Sequence, residues 1–314
     1  MKKIVLNILL LLISIHTISA SANELSAFGD ILIWHASQQS ASTWASVVSA
    51  PSSSSIDFDA TNVNFDWDVG FRGGFIFKPE HNNNDTRLYW TYFGTKTTST
   101  LGLAEKIIAP EFFSGFISRD LFFGANIDWQ IIMNMLDFDL GRKIDIGNSV
   151  TMRPAIGVKG GTIKQTINSE WNAYFYVASE NLVNKFYGIG PSFAIDSTWN
   201  VFKSLSIFGD FSTAFMWGKW TINDAYTRPS ALFGIITTPT TITTTLNSTK
   251  LGTMMFDYFL GVEWVHHGKS IVTIKIGYKM QFWANQLRMP TFQQLPVHGD
   301  LTLQGGTCHI RIDL

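Results

Sequence analysis

The sequence predicts an all-β protein, a transmembrane antiparallel up-and-down β-barrel of about 10 strands. Three observations lead to this prediction. One segment alternates apolar and polar residues over a length that suits a lipid bilayer, nine further segments carry a similar alternation, and the connections between them are alternately short and long. Outer-membrane barrels combine these three properties, with short periplasmic turns and longer extracellular loops.

The clearest predicted strand is Phe65–Lys78, in which every odd position is apolar or glycine. The even positions include Asp66, Asp68, Arg72 and Lys78. A side-chain period of two indicates a β-strand whose two faces meet different environments. A tilted strand needs about 9–11 residues to cross a bilayer, and this segment exceeds that length. The pattern therefore favours a strand with lipid on one face and a polar interior on the other.

The first 22 residues have the pattern of a secretory signal peptide. Lys2 and Lys3 precede the apolar segment Ile4–Ile15, and Ala20-Ser21-Ala22 provides a small-residue cleavage site. We therefore expect residues 1–22 to be a cleaved signal peptide and residues 23–314 to form the barrel. A buried N-terminal helix is the alternative interpretation of the same segment. Export followed by barrel formation predicts the outer membrane of a Gram-negative bacterium.

Composition separates this chain from typical soluble domains. Hydrophobic residues make up 46% of it and charged residues only 15%, whereas soluble domains carry about 25% charged residues. No apolar run after residue 22 reaches the 18 residues that indicate a membrane helix. The expected mature chain has 21 basic and 24 acidic residues, which argues against nucleic-acid binding. Cys308 is the only cysteine, so an intrachain disulfide is excluded.

Nine further segments alternate with varying clarity. They are Phe28–Ser37, Arg87–Thr95, Ile127–Leu140, Val150–Lys164, Phe186–Ser197, Leu205–Trp217, Leu251–Trp264, Ile271–Ala284 and the closing residues 308–314. Within Ile127–Leu140 the apolar face moves from odd to even positions after Met135. We interpret this phase change as a β-bulge, which inserts one extra residue into a strand.

The connections predict the two ends of the barrel. The short ones are Pro79–Thr86, Lys143–Ser149, Thr198–Ser204 and His266–Ser270. The long ones are Gln38–Asn64, Lys96–Asn126, Gln165–Lys185, Thr221–Lys250 and Asn285–Asp300. We expect the short connections to be periplasmic turns and the long ones extracellular loops. Lys96–Asn126 is apolar enough either to fold into the mouth of the barrel or to add a hairpin, which would give 12 strands.

Tryptophan placement supports a bilayer-spanning barrel. Trp67, Trp129, Trp217 and Trp283 fall near the loop ends of their predicted strands. Trp199 and Trp264 fall near the turn ends. Two such groups are typical of the aromatic girdles that flank the apolar band of a membrane barrel. Core tryptophans of a soluble barrel are the alternative.

The predicted strand faces assign side chains to the lumen or to lipid. The residues expected to line the lumen are Asp66, Asp68, Arg72, Arg153, Lys159, Asp210, Asp257, Glu263, Lys275 and Lys279. The residues expected to face lipid are Phe71, Phe75, Ile156, Phe211, Phe256, Tyr258, Ile274 and Ile276. Acids and bases on the lumen faces nearly balance. Because ten strands are close to the eight whose interior is filled by side chains, we expect a narrow or plugged lumen.

The sequence offers little for catalysis. Asp66 and Asp68 form a carboxylate pair, and the strand number and chain length are similar to those of the omptin proteases. However, none of the six histidines after residue 22 lies in the Asp-x-His arrangement of that family, and a carboxylate pair of this kind needs an acid–base partner. Gly268-Lys269-Ser270 lacks the upstream glycine spacing of a phosphate loop. We expect no catalytic site, cofactor or bound metal.

Several segments together resemble the Legionella-type major outer-membrane protein family. They are Asp66–Arg72 (DWDVGFR), Leu88–Phe93 (LYWTYF), Ile127–Arg142, Phe186–Pro191 (FYGIGP) and Leu301–Thr307 (LTLQGGT). The resemblance extends over nearly the whole expected mature chain and implies a pore-forming, porin-like role.

Two functions follow as hypotheses. The first is a passive pore for ions or very small solutes. The second is a structural or surface-interaction, adhesin-like barrel with a closed lumen, whose long loops bind host or envelope partners. Both place the chain in contact with outer-membrane lipid, and both leave its oligomeric state open.

Overall fold

The computed structural model describes residues 23–39, 43–52, 55–79, 83–102, 107–110, 122–232, 235–268, 270–289 and 297–314. The predicted signal peptide lies outside these residues. Within them, no helix is long and apolar enough to cross a membrane. Their regular structure is a single sheet of fourteen strands.

The strands follow one another along the chain with few long interruptions. They are β1 (Asn23–Gln39), β2 (Thr43–Ser52), β3 (Ser55–Asn62), β4 (Trp67–Pro79), β5 (Asn84–Gly102), β6 (Ile107–Pro110), β7 (Phe122–Arg142), β8 (Ile144–Ile146), β9 (Val150–Ala173), β10 (Val177–Phe202), β11 (Leu205–Leu232), β12 (Ile235–His267), β13 (Ile271–Met289) and β14 (Val297–Asp313).

Ten of these strands form a closed antiparallel ring. Its order is β1, β4, β5, β7, β9, β10, β11, β12, β13 and β14, and β14 returns to β1. This confirms the predicted ten-strand barrel. Of the other described strands, β2, β3 and β6 form a small sheet that is joined to the ring by one pairing of β6 with β7, and β8 lies beside β9. The apolar connection after β5 therefore contributes a short strand outside the ring.

The predicted long loops contain strands that the sequence did not indicate. At the turn end, residues 203–204 suffice to join β10 to β11. At the opposite, loop end, most of Gln165–Lys185 and Thr221–Lys250 is strand, and only residues 174–176 and 233–234 separate the paired strands. The prediction was wrong because these parts have polar outer faces, whereas apolar outer faces were the criterion used to recognise strands.

The predicted bulge in Ile127–Leu140 is also wrong. Burial alternates without interruption from Ala125 to Arg142, and β5 pairs with β7 in continuous register from Asn84 to Gly102. Met135, Asp137 and Asp139 therefore all point inward. The apparent phase change in the sequence is a change in the chemistry of the inner face, from apolar at the loop end to charged at the turn end.

An apolar belt surrounds the outside of the barrel. On β4 it extends from Trp67, which is 60% exposed, to Phe77. Ten residues at about 3.3 Å each, tilted by about 40°, give a height of roughly 25 Å, the height of the apolar band of membrane barrels. Trp199, Trp217 and Trp264 are likewise exposed at the outer surface.

Two tryptophans of the predicted girdle instead belong to the interior. Trp129 and Trp283 are fully buried inside the barrel. The prediction was wrong for them because the inner faces of β7 and β13 are apolar near the loop end.

Glycine allows the wall to bend where neighbouring strands approach closely. A Cβ atom on Gly190 of β10 would lie 1.8 Å from the carbonyl oxygen of Phe215. A Cβ atom on Gly218 of β11 would lie 1.8 Å from the carbonyl oxygen of Tyr187. Since any other residue would collide with the adjacent backbone, these glycines permit the curvature that a small barrel requires.

Candidate functional site

The lumen contains two layers of different chemistry, and the first is an apolar layer in its loop-end half. We define this layer by buried side chains from around the ring: Leu32, Trp34, Phe93, Trp129, Met133, Phe186, Trp220 and Trp283. The ring centroids of Phe186 and Trp220 are 4.6 Å apart, and those of Trp34 and Phe93 are 5.6 Å apart. At these separations the aromatic rings are in contact, so the apolar layer is packed like a protein core.

Segments from the loop end cover this apolar layer. Trp44 of β2 is fully buried, with its ring centroid 5.5 Å from that of Trp171 on β9. On another side, the guanidinium of Arg288 lies 4.7 Å from the ring centroid of Trp220. The side-chain amide of Asn184 also donates a hydrogen bond of 3.2 Å to the carbonyl oxygen of Arg288. Chain from two directions therefore packs over the apolar layer at the loop end.

The turn-end half of the lumen is a charged layer, and its largest group surrounds Arg153. Nε of Arg153 donates to both oxygens of Asp85, at 2.7 and 2.9 Å. Its Nη2 lies 2.5 Å from Asp139, and its Nη1 lies 3.4 Å from Asp196. Asp196 also accepts a 2.7 Å hydrogen bond from Arg87. Two guanidinium groups and three carboxylates from β5, β7, β9 and β10 thus neutralise one another almost completely.

A second group spans the lumen. Arg72 on β4 forms ion pairs with Asp30 on β1, at 3.6 Å, and with Asp257 on β12, at 3.8 Å. Lys279 on β13 lies 3.1 Å from Asp257, and the ring of His309 contacts Asp30 at 2.7 Å. Because β4 and β12 are not neighbours in the ring, the pair between Arg72 and Asp257 links opposite parts of the wall.

The remaining charges of this layer are paired as well. Lys275 lies 3.5 Å from Asp210 and 3.4 Å from Glu263, and its ammonium group lies 4.5 Å from the ring centroid of Phe208. Lys159 is paired with Asp137. Buried charges are tolerated in a protein when they are paired in this way.

Space for water remains within and beneath the charged layer. A cavity of about 110 Å³ is lined by residues of the Arg153 and Arg72 groups together with Lys275. A second cavity of about 260 Å³ lies towards the turn end and includes Lys78, Lys143 and Arg311 in its lining. Each has room for several water molecules, since a cavity of about 10–15 Å³ can already hold one. A polar region therefore extends inward from the turn end.

The structure places most of the predicted lumen residues in this charged layer. Those with inward side chains are Arg72, Arg153, Lys159, Asp210, Asp257, Glu263, Lys275 and Lys279. Asp68 is also inside, near the loop end, where it accepts a 2.6 Å hydrogen bond from Thr95. Asp66 departs from the prediction, because it precedes the first residue of β4 and is exposed.

The residues predicted to face lipid all lie on the outer face of the barrel. Their outward direction follows from the alternation with buried neighbours in each strand, and they are Phe71, Phe75, Ile156, Phe211, Phe256, Tyr258, Ile274 and Ile276.

Two lumen carboxylates escaped the sequence reasoning. Asp30 lies in a segment that is apolar on both faces, so its register could not be read. Asp85 follows Asn82, Asn83 and Asn84, a sequence typical of a turn. Asp85 could have been found from the sequence, because it lies two residues before Arg87, on the same face of a strand.

A separate carboxyl pair lies in the loop-end extension. Glu180 on β10 and Asp224 on β11 are both buried, and the hydroxyl of Ser169 donates a hydrogen bond of 3.4 Å to Glu180. The outer faces of β10 and β11 are polar here, so the pair is beyond the apolar belt. Burial raises the pKa of Asp224 to about 6, and burial together with the adjacent Asp224 raises the pKa of Glu180 well above its usual value. The pair therefore holds a proton under mildly acidic conditions.

Comparison with solved structures finds other outer-membrane barrels at low sequence identity. The outer membrane protease OmpT from Escherichia coli is 6% identical, with a TM-score of 0.47, covering 94% of this chain and 99% of that one. A FadL homologue of Pseudomonas aeruginosa is 7% identical, with a TM-score of 0.27 and coverage of 93% and 90%. The toluene transporter TbuX of Ralstonia pickettii is 8% identical, with a TM-score of 0.24 and coverage of 94% and 90%.

The family comparison is decisive. No curated protein matches the sequence. The model of the Legionella pneumophila major outer membrane protein precursor family matches residues 17–313. This match covers nearly the whole chain and includes all ten strands of the closed ring. The chain therefore belongs to the Legionella major outer membrane protein family.

Proposed function

We propose that this protein is a porin-like, pore-forming barrel that spans the outer membrane and passes ions or very small solutes. The apolar belt supplies a surface for lipid, and its height of roughly 25 Å suits an outer-membrane bilayer. The charged layer and its two cavities supply a polar path inward from the turn end. We further propose that the protein has no catalytic role, since the carboxylates within the lumen are held in ion pairs and hydrogen bonds.

The observation that carries this proposal is the water-sized space among charged side chains in the turn-end half of the lumen. A barrel that served only as a scaffold could fill that space with apolar side chains. Here cavities of about 110 and 260 Å³ remain instead, lined by both acids and bases. Because positive and negative groups alternate around them, little net field favours one sign of ion. We therefore expect weak ion selectivity.

The apolar layer limits what can pass. Hydrophobic constrictions in channels act as gates because a narrow apolar passage loses its water. The aromatic rings of Trp34, Phe93 and Trp129 lie in such a region, above the charged layer. We therefore expect small and intermittent conductance, with oligosaccharides excluded.

The same apolar layer favours a second candidate, a structural or surface-interaction barrel whose lumen stays closed. Fully buried tryptophans from several strands pack with segments that cover the mouth, as the contact between Trp44 and Trp171 illustrates. In this case the loop end, with its long hairpins, would be the functional surface.

Planar-bilayer recording on refolded protein distinguishes the two. We expect the wild type to show small conductance and the Trp34→Ala variant to show larger conductance, because the substitution removes an indole from the apolar layer. Trp217→Ala is the matched control, since Trp217 lies on the outer face and its loss leaves the lumen unchanged.

Each outcome has a clear meaning. No conductance from either the wild type or Trp34→Ala would favour the closed barrel. Free passage of bulky sugars through the wild type would contradict the packed apolar layer.

A further inference from the structure

One strand of the loop end has an edge that no described strand occupies. β3 pairs with β2, and it is the terminal strand of the sheet among the residues that the structure describes. Between Ile56 and Thr61, the backbone N–H and C=O groups of its other edge therefore have no partner strand among the described residues. Such an edge is a template for another strand.

The side chains of β3 are exposed on both faces. Ile56 and Phe58 are each 65% exposed, although they are large and apolar. Asp57 and Asp59 alternate with them and are also exposed. β3 belongs to the segment that connects the loop end of β1 to the loop end of β4, and in the described part of the chain its small sheet joins the ring only at Phe122, at the loop end of β7. This position is outside the apolar belt, so lipid does not account for the exposure of Ile56 and Phe58. The strand thus offers one apolar stripe and one acidic stripe.

The same residues disfavour pairing between two copies of β3. In an antiparallel pair centred on Phe58, Asp57 of one copy lies opposite Asp59 of the other. Like charges in directly opposite positions destabilise a sheet. Neither lysine nor proline, which commonly protect exposed edges, occurs in Ser55–Asn62. Two copies of β3 therefore repel each other at this edge, whereas a strand that carries basic residues opposite Asp57 and Asp59 can pair with it.

We propose that β3 is a docking strand for an extended polypeptide segment in which apolar and basic residues alternate. The segment adds to the free edge by main-chain hydrogen bonds, as in other cases of strand addition. Its apolar residues cover Ile56 and Phe58, and its lysines or arginines lie beside Asp57 and Asp59. This proposal is independent of the pore, because it concerns a surface outside the lumen.

A synthetic ten-residue peptide of alternating lysine and valine is the probe, titrated against the detergent-solubilised full-length barrel. We expect saturable binding to the wild type and at least about tenfold weaker binding to the Asp57→Lys/Asp59→Lys variant, because two attractive cross-strand pairs become repulsive. The control is Asp145→Lys/Glu170→Lys, which changes the net charge equally at two exposed carboxylates elsewhere. That variant should keep most of the binding.

Two further peptides test geometry and charge separately. In an alternating peptide, the backbone N–H groups of the lysines point to one edge of the strand and those of the valines to the other. N-methylation of all lysines or of all valines therefore removes the donors of one edge, and the peptide whose missing donors face β3 should fail to bind. An alternating glutamate–valine peptide should bind Asp57→Lys/Asp59→Lys and not the wild type. The proposal is overturned if a peptide of the same composition with its lysines grouped binds the wild type equally well. It is also overturned if both N-methylated peptides bind, or if no binding occurs.

Discussion

At the scale of residues, Arg153 illustrates how the charged layer is held. One guanidinium contacts three carboxylates from three different strands, and it is only 6% exposed. We predict that Arg153→Met destabilises the barrel by about 3–5 kcal/mol, because it leaves buried carboxylates without their partner. Urea unfolding in lipid vesicles measures this change. Lys96→Met is the control, since its exposed pair with Asp128 should contribute at most about 1 kcal/mol.

Neighbouring residues on β4 test which face meets lipid. Phe71 is on the outer face, and Arg72 is buried in the lumen. We predict that Phe71→Arg costs about 2–4 kcal/mol of folding free energy in a bilayer, because it places a charge in the apolar band. The same folding assay measures it. In addition, a lipid-soluble thiol reagent should label a cysteine at position 71 faster than one at 72, and the reverse order would contradict the assigned faces.

The carboxyl pair of Glu180 and Asp224 predicts a dependence of local stability on pH. A raised pKa means that the folded state binds the proton more tightly than the unfolded state. The resulting stabilisation is complete below about pH 4, the usual carboxyl pKa, and is lost as pH rises through about 6, the pKa of Asp224. The protection of the β10 and β11 amides against hydrogen exchange, measured relative to their intrinsic exchange rate at each pH, should therefore fall between pH 5 and pH 8.

A substitution isolates the cause of that change. Asp224→Asn removes the like charge and should raise this protection at pH 8, leaving only the smaller pH dependence that the burial of Glu180 causes. Glu170→Gln, at an exposed carboxyl of β9, should retain the wild-type dependence. Equal protection at both pH values in the wild type would contradict the prediction.

The sequence predicted the direction in which a side chain points more readily than the residue with which it pairs. Alternation alone points Arg72 and Lys279 inward. However, Arg72 pairs with Asp257 across the lumen, on a strand that is not its neighbour, and no local pattern encodes that contact. Tight pairing within the Arg153 group likewise depends on the order of β5, β7, β9 and β10 around the ring.

At the scale of elements, the hairpins formed by β9 with β10 and by β11 with β12 extend well past the apolar belt. Apart from the Glu180 and Asp224 pair, their inner faces are largely apolar, as Ile167 and Ile222 show, while their outer faces become polar. Within the belt the polarity is opposite, with apolar residues outside and charged ones inside. A strand that crosses both regions therefore changes from apolar outside and charged inside to polar outside and apolar inside. This change explains why the two hairpin extensions were predicted as loops and why β7 was predicted to contain a bulge.

This arrangement predicts the topology of the barrel. An epitope inserted between Leu232 and Ile235, at the tip of the longest hairpin, should bind antibody on intact cells because the loop end is expected to face outward. An epitope inserted at His266–Ser270 should bind only after the outer membrane is permeabilised. Flow cytometry with and without permeabilisation gives the comparison, and the opposite result would invert the barrel.

At the scale of the whole molecule, the ten-strand ring was within reach of the sequence, because it follows from strand number and alternation. The division of the lumen into an apolar and a charged layer was not. It depends on the position of each residue along the barrel axis, and this position is set by the pairing register between neighbouring strands. Trp34 and Leu303, far apart in sequence, lie in the same apolar layer only because β1 pairs with β14.

The pairing of β1 with β14 also bears on how the protein reaches its folded form. Trp34 donates a hydrogen bond of 3.1 Å to Thr307, which is 273 positions away along the chain. Bringing such distant segments together carries an entropic cost of about 5 kcal/mol beyond the constant term. Folding should therefore be slow, as contacts of high sequence separation generally require. Until the ring closes, β1 and β14 both expose open edges, so we expect partly folded chains to aggregate through these edges more readily than the closed barrel.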